Sequence, residues 1–205
     1  MKDFQSTLAK CALNEIEYVV LGASAGGVEA LKTVFSHLGE KRHLKFSLVL
    51  HMPATGLNLM GELLHNYCSW EINEATSGEV AKPGSITLAA PDYHLSLERN
   101  GSYSLSSEEL VNYSRPSIDV LFESAAYAFK EKTLGILLTG ANQDGAQGLK
   151  KIQDFGGVTI VQDPTTAICP HMPQSALDLM RPDEILTLQE ISDFLNLLTS
   201  GDSYA

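Results

Sequence analysis

Residues 18–35 read YVVLGASAGGVEALKTVF. An apolar run enters a glycine-rich turn, and Val28, Leu31, Val34, Phe35 and Leu38 then return at helical spacing. The pattern predicts a strand over Tyr18–Gly22, a sharp turn, and a helix from about Gly26 to Leu38. Such a turn can cradle a phosphate or mount a nucleophile. A dinucleotide loop wants G-x-G-x-x-G and an acid near the end of the next strand. Here Ala23-Ser24 interrupts the glycines and the next apolar run, FSLVLHM, ends in His51-Met52. A P-loop would need Lys-Ser or Lys-Thr directly after the last glycine, and Val28-Glu29 stands there instead. The small neighbours Ala23, Ala25, Gly26 and Gly27 leave the Ser24 hydroxyl approachable, so the turn leans to the nucleophile.

Beyond this unit, strand-like and helix-like segments alternate. FSLVLHM predicts a second strand, and Leu59, Met60, Leu63 and Leu64 predict a helix around Leu57–Tyr67. WEINEA, SITLAA, HLSLE and SYSLSS are short strand-like pieces, expected to be antiparallel and to lie at one edge of the sheet. Asn100-Gly101 between the last two suits a type I′ hairpin turn. RPSIDVLFESAAYAFK then predicts a helix opened by proline. TLGILLTG is a buried strand, DGAQGLKKIQDF a helix, GVTIVQ a strand, and MPQSALDLM and EISDFLNLLTS are helices. The expected fold is α/β: a doubly wound, mostly parallel sheet with an antiparallel hairpin at one edge.

In such sheets ligands sit beyond the carboxyl ends of the strands. Three of those ends carry Ser24, His51 and Asp144, the residue types of an acyl-transfer triad. Each has a plainer use. Ser24 can be a small turn residue, His51 a structural hydrogen-bonder, and Asp144 before Gly145 a helix N-cap. Their shared placement at one rim favours the triad. The order Ser, His, Asp differs from the Ser, Asp/Glu, His order of α/β-hydrolases.

The blocks LGASAGGVEAL, LVLHMP, ITLAAPDYHLSL, SRPSIDVLFESAA, GILLTGANQDGAQGL and MPQSAL, in this order, resemble the catalytic domain of the chemotaxis protein-glutamate methylesterase family, CheB. The resemblance runs from about Tyr18 to Leu198. It implies hydrolysis of methyl esters on glutamate side chains of chemoreceptors, with glutamine deamidation in many members. It implies Ser24 as nucleophile, His51 as base, Asp144 as orienting acid, and the Ala141 N–H as an oxyanion donor, with no metal or organic cofactor. The family usually has TGMGNDG where this chain has TGANQDG, and often His where this chain has Ser114. Arg115 is kept; it can meet acidic residues beside the target glutamate or fasten a loop to backbone carbonyls.

The implied division is an N-terminal segment, 1–16, and a catalytic domain, 17–200, without the receiver domain typical of the family. Leu8, Ala12, Leu13 and Ile16 in the first segment are spaced to pack as a helix or to dock a separate regulatory protein. The alternative to an enzyme is a CheB-like binding module without turnover.

Composition fits this frame. The chain has 205 residues, 44% hydrophobic and 19% charged, with net charge −11. That charge argues against a nucleic-acid partner or broad attraction to anionic lipid. Lys41, Arg42, His43 and Lys45 form a basic cluster read as a solvated strand entrance. No apolar run is long enough for a membrane span, and the N-terminus lacks a secretory signal core, so a cytoplasmic location is expected. Cys11, Cys68 and Cys169 suggest neither a disulfide framework nor a zinc site. Cys169, two residues from His171, reads as a half-buried loop cysteine rather than a thiol nucleophile.

Overall fold

A computed structural model describes residues 4–39, 43–52 and 64–200. The predicted helix around Leu57–Tyr67 lies outside them up to residue 63, as do Lys41 and Arg42 of the basic cluster. Seven strands form one wholly parallel sheet: β1 (Tyr18–Ala23), β2 (Lys45–Leu50), β3 (Glu71–Glu74), β4 (Ser85–Leu88), β7 (Thr133–Leu137), β8 (Val158–Gln162) and β9 (Glu184–Leu186). Their order is β3-β4-β2-β1-β7-β8-β9. The chain places β2, β3 and β4 on one side of β1, with β3 at the edge and β4 between it and β2, then returns to add β7 on the other. The order therefore reverses between β1 and β7, which opens a crevice at their carboxyl ends.

Helices cover both faces, and the side-chain alternation of β1 shows why. Val19, Leu21 and Ala23 face one cluster, which also holds Leu31, Val34 and Phe35 of α2 (Gly27–Phe35) and Ile191, Phe194 and Leu195 of α6 (Leu188–Ser200). Tyr18 and Val20 face the other. There they meet Phe122 of α3 (Ile118–Phe129), Leu149 of α4 (Ala146–Asp154) and Met172 of α5 (His171–Leu179). A sheet buried on both faces demands near-continuous apolar strands, and β1, β7 and β8 are buried at every position.

Two expectations for the middle of the chain change. WEINEA and SITLAA supply β3 and β4, which pair in parallel within the main sheet. The antiparallel pair, β5 (His94–Leu97) and β6 (Tyr103–Ser106), is a separate two-stranded sheet whose Leu95 and Tyr103 pack into the α3 cluster. Its turn is not type I′. Only Gly101 of the Asn-Gly pair has a positive φ (82°), and its N–H closes on Glu98 O at 2.8 Å. That is a three-residue connection with a glycine bulge.

The N-terminal segment forms α1 (Gln5–Leu13), which shares the first core. Phe4, Leu8, Cys11 and Ile16 are buried, and Phe4 meets the edge of Phe194 with ring centroids 5.7 Å apart. Leu13, expected to pack, is 85% exposed, and Ala12 also faces out. Lys10 pairs with Asp183 at 2.6 Å and donates to Gly157 O at 3.1 Å. These partners lie at the amino ends of β8 and β9.

Candidate active site

Ser24 follows β1 directly and is held from both sides. Its N–H donates to Thr139 O beyond β7 at 2.9 Å. Next to it, His51 N–H donates to Ala23 O at 3.0 Å, carrying the β1–β2 ladder one step past β2. Thr139 is itself fixed: its N–H donates to Gln162 Oε1 at 2.8 Å and its hydroxyl to Ala25 O at 2.9 Å. Gly26 turns the chain into α2 at φ 82°, a region glycine adopts without strain. Ser24 thus stands at the N-terminus of α2, where the helix dipole favours negative charge. Gly22 matters for a different reason. A Cβ there would fall 2.2 Å from Ile118, so the glycine lets the start of α3 press onto β1.

That contact brings the α3 N-terminus to Asp144. Asp144 is fully buried, and its carboxylate accepts from five donors. Oδ2 takes His51 Nε2 at 2.9 Å and Ile118 N–H at 2.6 Å. Oδ1 takes Ser117 Oγ at 2.8 Å, Asn112 Nδ2 at 3.0 Å and Asp119 N–H at 3.2 Å. Burial pushes its pKa up, but the bonds from His51, Asn112, Ile118 and Ser117 outweigh burial and hold it below the ordinary carboxylate value. Ser117 is also the N-cap of α3, accepting Val120 N–H. Its own N–H donates to His94 Nδ1 at 3.2 Å, and His94 Nε2 reaches Glu109 O at 2.9 Å. Asp144 is therefore an anion seated at the N-terminus of the preceding helix, and the N-cap serine of that helix is one of its ligands.

In the neutral His51 tautomer that donates Nε2–H to the Asp144 carboxylate, Nδ1 carries the lone pair. Ser114 Oγ lies 3.4 Å from Nδ1. The two ring nitrogens thus contact Asp144 and Ser114 rather than Ser24. Ser114 belongs to a two-residue hairpin bridged between Val111 and Ser114, with Asn112 and Tyr113 at φ 50° and 62°. Both central residues left-handed is the type I′ signature. Neither Asn-Gly nor Asp-Gly marks it in the sequence, so it went unread there.

A second carboxyl stands beside the first. Buried Asp119 accepts Gly148 N–H on Oδ1 at 2.7 Å and Asn112 Nδ2 on Oδ2 at 2.8 Å. Burial raises its pKa to about 6; the Gly148 bond lowers it and the Asp144 charge adds to the rise. Sequence reading missed Asp119, Asn112, Ser117 and Thr139. Only Ser117 carried a legible sign, as a serine directly before an amphipathic run.

Ala141 lies exposed in the loop between Gly140 and Asp144. Among the described residues neither the Ala25 nor the Ala141 N–H has a hydrogen-bond partner. Ala141 also lines an open cavity of about 490 Å³ with Ile168, Cys169, Pro170, His171 and Gln174. Cys169 is half-buried there and ties this loop to the site, donating its N–H to Thr139 Oγ at 2.9 Å. Arg115 takes the loop-fastening role: Nη1 donates to Ser107 O and Glu108 O, each at 2.8 Å. Among the described residues no group of three or more His, Cys, Asp or Glu side chains is placed to hold a metal ion, and no helix is long and apolar enough to cross a membrane.

Comparison with known proteins identifies the family of the chain. The CheB methylesterase family profile matches residues 19–195. A provisionally named protein-glutamate methylesterase/protein-glutamine glutaminase of Leptospira interrogans is 43% identical over 177 residues, covering 86% of this chain and 92% of that protein. The protein-glutamate methylesterase/protein-glutamine glutaminase of Treponema pallidum is 34% identical over 88% of this chain but only 46% of its own length. The crystal structure of the Thermotoga maritima CheB methylesterase catalytic domain superposes with a TM-score of 0.85 at 31% identity, covering 89% of this chain and 98% of that one. The chain belongs to the CheB methylesterase family.

Proposed function

We propose that this chain is a serine hydrolase of the cytoplasm that removes methyl esters from glutamate side chains on chemoreceptors, with Ser24, His51 and Asp144 as its triad. The observation that carries the reading is the His51–Asp144 pair. A buried carboxylate kept ionised by five donors fixes the imidazole so that Nδ1 is the nitrogen placed to take a proton. Ser24 Oγ attacks the ester carbonyl as its proton passes to Nδ1. The developing oxyanion is met by the Ala141 N–H, the Ala25 N–H and the α2 N-terminus; one such donor typically contributes about 3–4 kcal/mol. The imidazolium returns the proton to the departing methoxide, so methanol leaves. Water then attacks the acyl-serine, again giving a proton to Nδ1, and the glutamate carboxylate is released with the Ser24 hydroxyl restored. Deamidation of glutamine follows the same course with ammonia as leaving group, and the names of the relatives support it.

Ser114 offers a second reading, because its hydroxyl is the one in contact with Nδ1. At 3.4 Å the contact is long for an O–H···N bond, and Ser114 sits on a hairpin, whereas Ser24 stands at the N-terminus of α2. Ser24→Ala is expected to lower methanol release from methylated receptor membranes by about 10³-fold or more, while Ser114→Ala stays within about fivefold. The reverse ranking would move the nucleophile to Ser114. Loss of release in neither variant would end the serine mechanism.

A further inference from the structure

The segment 111–115 does something that neither the triad nor the family comparison assigns. Its hairpin turn drives the Asn112 amide between two buried carboxylates. Nδ2 donates to Asp119 Oδ2 at 2.8 Å and to Asp144 Oδ1 at 3.0 Å. The rest of the side chain and its carbonyl face the loop that carries Asp144. Asn112 Oδ1 accepts Gln143 Nε2 at 3.3 Å, and Asn112 O accepts Asn142 Nδ2, also at 3.3 Å. Asn142 Nδ2 further reaches Ser114 Oγ at 3.4 Å. To aim the amide this way the backbone takes a left-handed conformation at both Asn112 (φ 50°) and Tyr113 (φ 62°), and leaves the Tyr113 side chain 94% exposed. A left-handed conformation is uncommon for a bulky residue such as Tyr113, and its persistence beside the candidate site points to a function for the turn that aims Asn112.

We propose that Asn112 is a positioning residue of the hydrolase: its amide separates Asp119 from Asp144 and holds Asp144 as the ionised partner of His51. The proposal rests on the triad reading above. Two carboxyls that share a site compete for one proton. An amide donating to both lets them lie close without Asp144 taking that proton. Among the described residues, other charged or titratable groups near the amide include His51 beyond Asp144, Glu123 one turn along α3 from Asp119, Tyr113 and Arg115 on the same segment, and His94 behind Ser117. Among these, no side chain donates to both carboxylates; Asn112 does.

Two substitutions keep the turn and remove the donor. Glycine adopts positive φ freely, and aspartate tolerates it much as asparagine does. In Asn112→Gly the amide is gone. In Asn112→Asp its place is taken by a third acid of the same shape. The expected result is a fall in kcat of about tenfold for Asn112→Gly and more for Asn112→Asp, with KM within about twofold in both. The low-field proton NMR signal of the His51–Asp144 bond, which needs no substrate, should be lost at a pH about one unit higher in Asn112→Gly than in the parent. Adding Asp119→Asn to Asn112→Asp removes one of the crowded acids and should restore part of kcat. Parent-like kcat and an unmoved NMR titration in both single variants would overturn the proposal. So would a uniform loss in both that Asp119→Asn does not relieve, since that is the mark of a merely structural turn. A parent protein with no esterase activity would instead count against the hydrolase reading, and the NMR titration would still decide the role of Asn112.

Discussion

Asp119 and Asp144 are two buried aspartates linked by the Asn112 amide and by the Asp119 N–H, and their environments push them in opposite directions. Asp119, with its pKa raised to about 6 mainly by burial, favours its protonated form in the folded chain. Between the ordinary aspartate value near 4 and that raised value, the folded chain holds a proton the unfolded chain has lost. Its stabilising contribution is therefore complete below about pH 4 and is lost as pH rises through about 6. Asp144 has the opposite sign: its contribution is present above about pH 4 and is lost as pH falls through its depressed value. Urea unfolding of the parent and of Asp119→Asn, compared at each pH, isolates the first effect. The stability difference should move against the parent by on the order of 2–3 kcal/mol between pH 4 and 7. A difference independent of pH would mean Asp119 is not the raised group. None of this pairing was legible in the sequence. Asp119 reads there as one more acid in the first turn of a helix, and only the fold shows that Asn112 reaches it.

At the scale of elements, the strand–turn–helix around Ser24 was legible because its signals are local: an apolar run, small residues where the chain must turn, and helical spacing after it. The parallel pairing of β3 and β4 was not, because four-residue strands carry no mark of their neighbours. The N-terminal helix is an intermediate case. Its pattern predicted one packed face, but the face is Phe4, Leu8, Cys11 and Ile16 rather than one including Ala12 and Leu13. Burial also pushes the Cys11 thiol up to about 12, so it behaves as a small apolar side chain. The helix sits at the amino ends of β7–β9, whereas Ser24, His51 and Asp144 sit at the carboxyl ends of the sheet, a strand's length of about 16 Å away. A helix so placed stabilises the body and does not cover the site. Leu8→Ala should cost about 2–5 kcal/mol and lower Tm by roughly 5–15 °C, with kcat unchanged at temperatures well below the transition. Thermal melts and methanol release together check this. A clear gain in kcat would instead make α1 an inhibitory element.

At the scale of the molecule, the strand order explains why residues 24, 51 and 144 converge. β1 is flanked by β2 and β7, so the ends of these three neighbours bring a serine, a histidine and an aspartate to one rim, where the order reverses. The sequence could name the three rim residues because each follows a readable strand. It could not place Ser114 against His51 Nδ1 or commit Arg115 to the carbonyls of residues 107 and 108, since both depend on a loop folding back over the sheet. The central claim is that Ser24 is the hydroxyl this rim activates. The direct measurement is to treat the native protein with a serine-directed phosphonate and locate the adduct by peptide mass spectrometry. The expected result is one adduct per chain, on the peptide containing Ser24, with labelling abolished in His51→Ala. An adduct on Ser114, or labelling of Ser24 that persists without His51, would contradict it.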